Sequence, residues 1–299
     1  MGITFHHSLI ILLCLFIPSI FSVSSGDNIQ EVQKPVEFLS SYYNDTCVID
    51  HDFTGQIDQM VLYHHRRLGF QGSVLVVKDG TPIYAKSVGY ADPVRRKKLH
   101  NNNSFELASV SKQFTAFAIM MLEENGMLDY DDPIDNYLCE LPYKGITIRH
   151  LLNHTSGIQN YMWLIENKWK HEHSPSNREV LSFMASNEMY YNFKPGTRFS
   201  YSNTGYVLLA SIIEEVSGMT YSEFVEENIF SPLQMYNASV GPDRGNSCVN
   251  SYQPYRRYYR KLSSTVHDQA FGDKGIYASI WDLYKWNKEL DNPIPVSYT

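Results

Sequence analysis

The chain has 299 residues, 43% of them hydrophobic, 19% charged and 14% aromatic, with 25 Lys and Arg against 32 Asp and Glu for a formal charge of −7. That balance excludes a disordered, collagenous or polytopic membrane protein. It also excludes a chain built to coat nucleic acid, because no basic excess is present to release phosphate counterions.

In chain order, Leu9 to Ile17 is wholly apolar and runs on to the small-x-small pattern Ser22-Val23-Ser24. This predicts a signal peptide over residues 1–24, hence a secreted or periplasmic protein. The run is shorter than the roughly 20 residues of a transmembrane helix, and Pro18 interrupts its end. The segment before it holds His6 and His7 but no Lys or Arg, so an uncleaved anchor is the alternative, and the one way a membrane enters. Beyond it the chain carries Cys47, Cys139 and Cys248, an odd set without zinc-ligand spacing. Asn44-Asp45-Thr46, Asn102-Asn103-Ser104, Asn153-His154-Thr155 and Asn237-Ala238-Ser239 match the glycosylation sequon, a pattern common by chance.

Residues 25–55 read as a polar spacer and 56–299 as one domain. A helix is expected near Ile57 to Leu68, then two β-rich runs, Gly72 to Val77 and Ile83 to Tyr90, joined through Asp79-Gly80 as a hairpin. Arg95 to Lys98 reads as a solvated loop. From Ser109 to Glu124 the residues are apolar nearly all round, which predicts a buried central helix closed by Asn125-Gly126. Further helices are expected over Thr147 to Leu152, Arg178 to Ser186, Gly205 to Val216, Tyr221 to Phe230 and Ser279 to Leu290. A hairpin followed by a long helical region does not alternate as a doubly wound sheet does.

The most informative segment is Ser109-Val110-Ser111-Lys112 at the start of the buried helix. Residues three apart share a helical face, so the Lys112 ammonium can lie beside the Ser109 hydroxyl. A serine hydroxyl needs a base before it becomes a nucleophile, and a lysine in a suitable site is one. The helix N-terminus adds a positive dipole end where an oxyanion would form. As a bare match, Ser-x-x-Lys is more simply a helix cap and a surface lysine.

Other segments change that balance. Leu151-Leu152-Asn153-His154-Thr155-Ser156-Gly157, the Tyr201-Ser202-Asn203 triplet after Lys194-Pro195-Gly196, and Gly272-Asp273-Lys274-Gly275-Ile276-Tyr277 ahead of Asp282-Leu283 follow in order. With the Ser-x-x-Lys motif and the hairpin, the chain over about residues 70 to 290 resembles the serine β-lactamase and penicillin-binding-protein superfamily, in its branch of class C β-lactamase-related serine hydrolases. The resemblance implies an α+β fold of the β-lactamase/transpeptidase kind, an antiparallel sheet flanked by helices plus a helical region. It implies Ser109 as the acyl-accepting nucleophile and Lys112 as its proton partner. Tyr201 would act as base or relay, and Asn203 would hold Lys112 and bind the substrate's amide carbonyl. Gly272 to Tyr277 would be a helix-entry element. The implied substrate is a β-lactam, a D-alanyl peptide or a small ester, with no cofactor.

The family's third motif, Lys-Thr-Gly or His-Thr-Gly on a later strand, does not follow Tyr277 in this sequence. The expectation is therefore of a domain lacking its C-terminal strands, either impaired in turnover or part of a longer product. A binding or scaffold protein on the same fold is the rival reading. His150 and His154 have helical spacing, but no acidic residue completes a metal motif, so no metal is expected. His171-Glu172-His173 reads as exposed loop, as does Arg256 to Lys261, whose mixture of basic and aromatic residues is isolated in an acidic chain. Tyr161, Trp163 and Trp169 are read as bordering the substrate cleft or as packing.

Overall fold

The computed structural model describes residues 47–48, 51–187, 190–241, 248–249, 252–255, 258–262 and 265–291. The leader, most of the spacer, the Asn44 sequon, Arg256-Arg257 and residues 292–299 lie outside them. The chain divides after Asn103 into two compact units.

The first unit opens on a short strand β1 (Cys47–Val48) and helix α1 (His51–Leu68). The helix starts earlier than Ile57, over a first turn whose residues show no apolar periodicity for a sequence reading to follow. Strands β2 (Gly72–Lys78) and β3 (Thr81–Val88) form the expected hairpin, with β1 added antiparallel on the far side of β3. Asp79 and Gly80 at its tip have φ of 49° and 73°, the pair of positive values that matches a tight turn to the strands' twist. Pro82 lies at the register shift opposite Val77, where a missing ladder donor is tolerated. The short pair β4 (Tyr90–Asp92) and β5 (Lys97–Lys98) follows, so only part of the basic cluster is loop. Ile57 and Val61 of α1 bury against Tyr84 and Val88 of β3, and the Tyr84 hydroxyl and Lys86 ammonium both donate to Asp58 Oδ1.

The second unit begins with β6 (Phe105–Glu106), a 3₁₀ turn (Ala108–Ser111) and α2 (Lys112–Glu124). Helices α3 (Ile148–Leu152), α4 (Tyr161–Lys168), α5 (Asn177–Ser186), α6 (Asn203–Ser217) and α7 (Tyr221–Val225) follow, with a π turn over Glu226–Phe230. Then come β7 (Ser239–Val240), β8 (Tyr252–Tyr255), β9 (Tyr258–Lys261), β10 (Ile276–Ala278) and α8 (Ile280–Asp291). Strand β10 lies between β6 and β7, antiparallel to both, and β8 pairs with β9, so part of the basic–aromatic run is strand rather than loop. Phe114, Ala118 and Ile119 of α2 and Val207 to Ala210, Ile212 and Ile213 of α6 are fully buried in one core. Trp286 of α8 stacks on Phe114 at 4.2 Å. No helix among the described residues is long and apolar enough to cross a membrane.

Candidate active site

Two helix N-termini and one strand entry meet at the site. Ser109 is exposed in the 3₁₀ turn that leads into α2, and Lys112 is the first residue of that helix. Ala108, just before the serine, has φ of +48°, a left-handed conformation that a residue with a Cβ holds only when its surroundings impose it. Those surroundings are hydrogen bonds. Leu107 N–H donates to the Ile276 carbonyl at 2.8 Å, and Ile276 N–H donates to Ser111 Oγ at 3.1 Å. The nucleophile turn is thereby stitched to β10 on both sides.

Lys112 is 6% exposed, not the surface lysine of a chance motif. Its Nζ donates to the Asp273 main-chain oxygen at 2.7 Å, to Asn203 Oδ1 at 2.9 Å and to Ser109 Oγ at 3.4 Å. The ring centroids of Tyr201 and Tyr206 lie 5.0 and 5.5 Å from it, within cation–π range. No carboxylate is among its hydrogen-bond partners. Asn203, the first residue of α6, is placed by the Ser202 cap, whose hydroxyl accepts the Gly205 N–H. Its amide Nδ2 points at Met162 Sδ, 3.0 Å away, a weak acceptor that an incoming carbonyl can replace.

Tyr201 is half exposed, and it presents its ring to Lys112. Among the described residues its hydroxyl makes no hydrogen bond to Lys112 or Ser109. Its ring is held by His154, whose imidazole lies 4.6 Å from it and 5.1 Å from Tyr206. The His154 carbonyl accepts Ser200 N–H at 2.8 Å and its Nδ1 accepts Ser202 N–H at 3.1 Å, which ties the backbone on both sides of Tyr201. Burial, reinforced by the Lys112 charge, holds the His154 imidazole below its usual range and so neutral.

The segment read as a helix entry is a strand entry. Gly272 and Asp273 run into β10, and the helix starts only at Ile280. Thr115, one turn along α2 from Lys112, donates to the Gly272 carbonyl at 2.7 Å, while Asn177 pairs with both backbone groups of Phe271. Asp273 is 1% exposed; burial pushes its carboxyl up, opposed by Lys274, Lys112 and the Tyr161 hydroxyl. Tyr161 is fully buried and donates to Asp273 Oδ2 at 3.2 Å, so it is packing rather than a cleft wall.

The remaining residues singled out in the sequence stand apart from this cluster. Trp163 is exposed, and Trp169 packs on Phe183 and donates to the His173 carbonyl. His173 pairs with Glu179 of the α5 capping box. His150 Nδ1 closes the capping box of α3 with Thr147, so it does not aim with His154 at a common centre. No His, Cys, Asp or Glu group among the described residues is arranged to hold a metal ion. Tyr206, Met162 and the Asp273 carbonyl were not anticipated as site groups. Tyr206 and Asp273 each lie within a motif-like segment, whereas no pattern in the sequence marks Met162.

The Beta-lactamase family model matches residues 57–296. Penicillin-binding protein 4* of Bacillus subtilis is 44% identical over 181 residues, which is 58% of this chain and 40% of that protein. The D-aminopeptidase of Brucella anthropi is 30% identical over 223 residues, 74% of this chain and 42% of that protein. The chain thus spans about two-fifths of the length of these two relatives. Among solved structures, the octameric penicillin-binding protein homologue from Pyrococcus abyssi superposes with a TM-score of 0.68 at 28% identity, covering 81% of this chain and 57% of that one. The D-amino acid amidase of Ochrobactrum anthropi has the same fold, with a TM-score of 0.69 at 24% identity over 82% of this chain and 73% of that one.

Proposed function

The chain belongs to the beta-lactamase family, and from that premise we propose that it is a serine hydrolase working through an acyl-enzyme on Ser109. The observation that carries the reading is the arrangement around Lys112 Nζ. Two of its three partners, the Asp273 carbonyl and Asn203 Oδ1, can only accept hydrogen bonds. They therefore claim two N–H groups in either charge state, and the third tetrahedral position is left facing Ser109 Oγ. As the amine, Lys112 turns its lone pair towards the serine hydroxyl; as the ammonium, it donates to the serine oxygen.

The proton inventory of the reaction follows from that axis. The amine takes the Ser109 proton as Oγ attacks the carbonyl carbon of an amide or ester, and the resulting ammonium stabilises the adjacent oxyanion-bearing intermediate. Collapse of the intermediate breaks the bond to the leaving group, which takes the proton back by way of Lys112, with Tyr201 as the partner at the exposed side. Water then repeats the cycle against the Ser109 ester and frees the acid. No step uses a cofactor. The names of the relatives favour amides of D-amino acids and penicillins, with D-alanyl peptides and small esters as other acyl donors of the same reactivity. The apolar segment of residues 9–17 supports export to an extracellular or periplasmic compartment.

The test is labelling of the full chain with a fluorescent penicillin and a fluorophosphonate probe, beside Ser109→Ala. One covalent label per chain, absent in Ser109→Ala, is expected. Equal labelling of both proteins, or none of either by both probes, would reject the reading. A panel of D-amino acid amides, D-alanyl dipeptides, β-lactams and nitrophenyl esters then ranks the substrates by kcat/KM.

A further inference from the structure

Lys112 Nζ is buried among neutral oxygens and aromatic rings, and a positive charge in that setting needs a counter-charge close by. The residue that supplies its closest oxygen also carries a carboxyl group, and that group has no part in the mechanism above. Asp273 Oδ1 is buried without a hydrogen-bond partner, while Oδ2 is held by the hydroxyl of the fully buried Tyr161. A buried carboxyl left half satisfied carries a cost that packing does not explain.

We propose that Asp273 is a positioning residue: its main-chain oxygen fixes where Lys112 stands, and its carboxyl, steadied by Tyr161, sets the charge that Lys112 carries beside Ser109. The inference deepens the acyl-enzyme reading and rests on it only for its kinetic consequence. A carboxylate here favours the ammonium and opposes its loss of a proton, whereas a neutral acid leaves Lys112 free to become the amine. Burial opposes the carboxylate, and the Tyr161 hydroxyl favours it by donating to Oδ2.

Other titratable groups face the pair: the His267 ring, paired with Glu166, stands edge-on 6.4 Å from that of Tyr161. Lys274, next in the chain, acts on Asp273 in the same sense as Lys112, and Asp273 in turn opposes ionisation of Glu106 of β6. Tyr221 of α7 is fully buried, donates to Thr115 Oγ1 and stays neutral. Around Lys112 itself stand the rings of Tyr201 and Tyr206 and the neutral His154.

Asp273→Asn keeps the main-chain oxygen and gives Tyr161 an amide oxygen to donate to, so it removes the charge alone. Tyr161→Phe keeps the buried ring and weakens the carboxylate. Both are followed in the full chain by NMR of ¹³Cε-labelled lysine, with the Lys112 signal identified by its loss in Lys112→Arg, and by the pH dependence of fluorophosphonate labelling at Ser109. In Asp273→Asn the pH at which Lys112 loses its proton is expected to fall by roughly one to three units, with a smaller fall in Tyr161→Phe. The acid limb of Ser109 labelling should move by the same amount. An unmoved Lys112 titration in Asp273→Asn overturns the inference; if that protein does not fold, an unmoved titration in Tyr161→Phe overturns it. A moved titration in a protein whose Ser109 takes no label would uphold the role of Asp273 and reject the acyl-enzyme reading instead.

Discussion

At the scale of single residues, the site is organised by which atoms accept and which donate. Asn203 and the Asp273 carbonyl hold Lys112 because neither can donate to it from those oxygens, and His154 holds Tyr201 because a neutral Nδ1 faces the Ser202 N–H. Protonating His154 would put two donors face to face and add a cation near Lys112. Its folded-state affinity for a proton is depressed, so as the pH falls below about 6.5 the unfolded chain takes up a proton that the native one refuses. Stability should therefore decline on acidification through that range. Thermal melts between about pH 7 and about pH 5 are expected to show a shallower fall for His154→Gln than for the parent, and equal slopes would count against the neutral acceptor. Ser109 and Lys112 are legible as candidates from their spacing, and Tyr201 and Asn203 from the family resemblance of their segment. The use of Tyr201 through its ring is not, because spacing specifies which residues approach and says nothing of which face they present.

Among the elements, sequence periodicity located the hairpin and the main helices well. Asp79-Gly80, Asn125-Gly126 and Gly218 each mark an end for a local reason, a positive φ that glycine adopts without a Cβ clash. Periodicity failed at β10, where Gly272 to Tyr277 was read as the approach to a helix. A three-residue strand is too short to show alternation, and its pairing partners β6 and β7 are remote in the chain. Gly272 is the element-level device that brings this strand to the site. Its φ is +105°, and a Cβ built there would lie 2.4 Å from the Tyr206 oxygen and 2.6 Å from Ala210 Cβ of α6. Gly272→Ala is thus expected to push β10 from α6 and cost more than about 2 kcal/mol, the scale of overpacking added to backbone strain. Chemical denaturation measures it; a loss below about 0.5 kcal/mol would mean that α6 yields without penalty.

The whole molecule divides its stability unequally. The first unit buries a small apolar cluster under its hairpin, Ile57, Val61, Tyr84 and Val88, whereas the second has a continuous core through α2, α6 and α8. Native-state hydrogen exchange is expected to be faster for amides of β2 and β3 than for those of α2 and α6, since local opening follows the apolar surface that must be exposed. Equal protection in both units would show that they open together. At this scale the sequence by itself determined the family, the α+β class and the buried helix that starts at Lys112, just after Ser109. Those properties are written in local spacing and composition, which need no knowledge of distant neighbours. Only the tertiary structure decided what surrounds Lys112. Asn203 lies 91 residues away along the chain and Asp273 161, and they converge because the apolar faces of α2, α6 and the β10 strand share one core. Burial and a proton's partner are properties of that convergence, set by the packing of side chains from remote segments and by no residue pattern within any one of them.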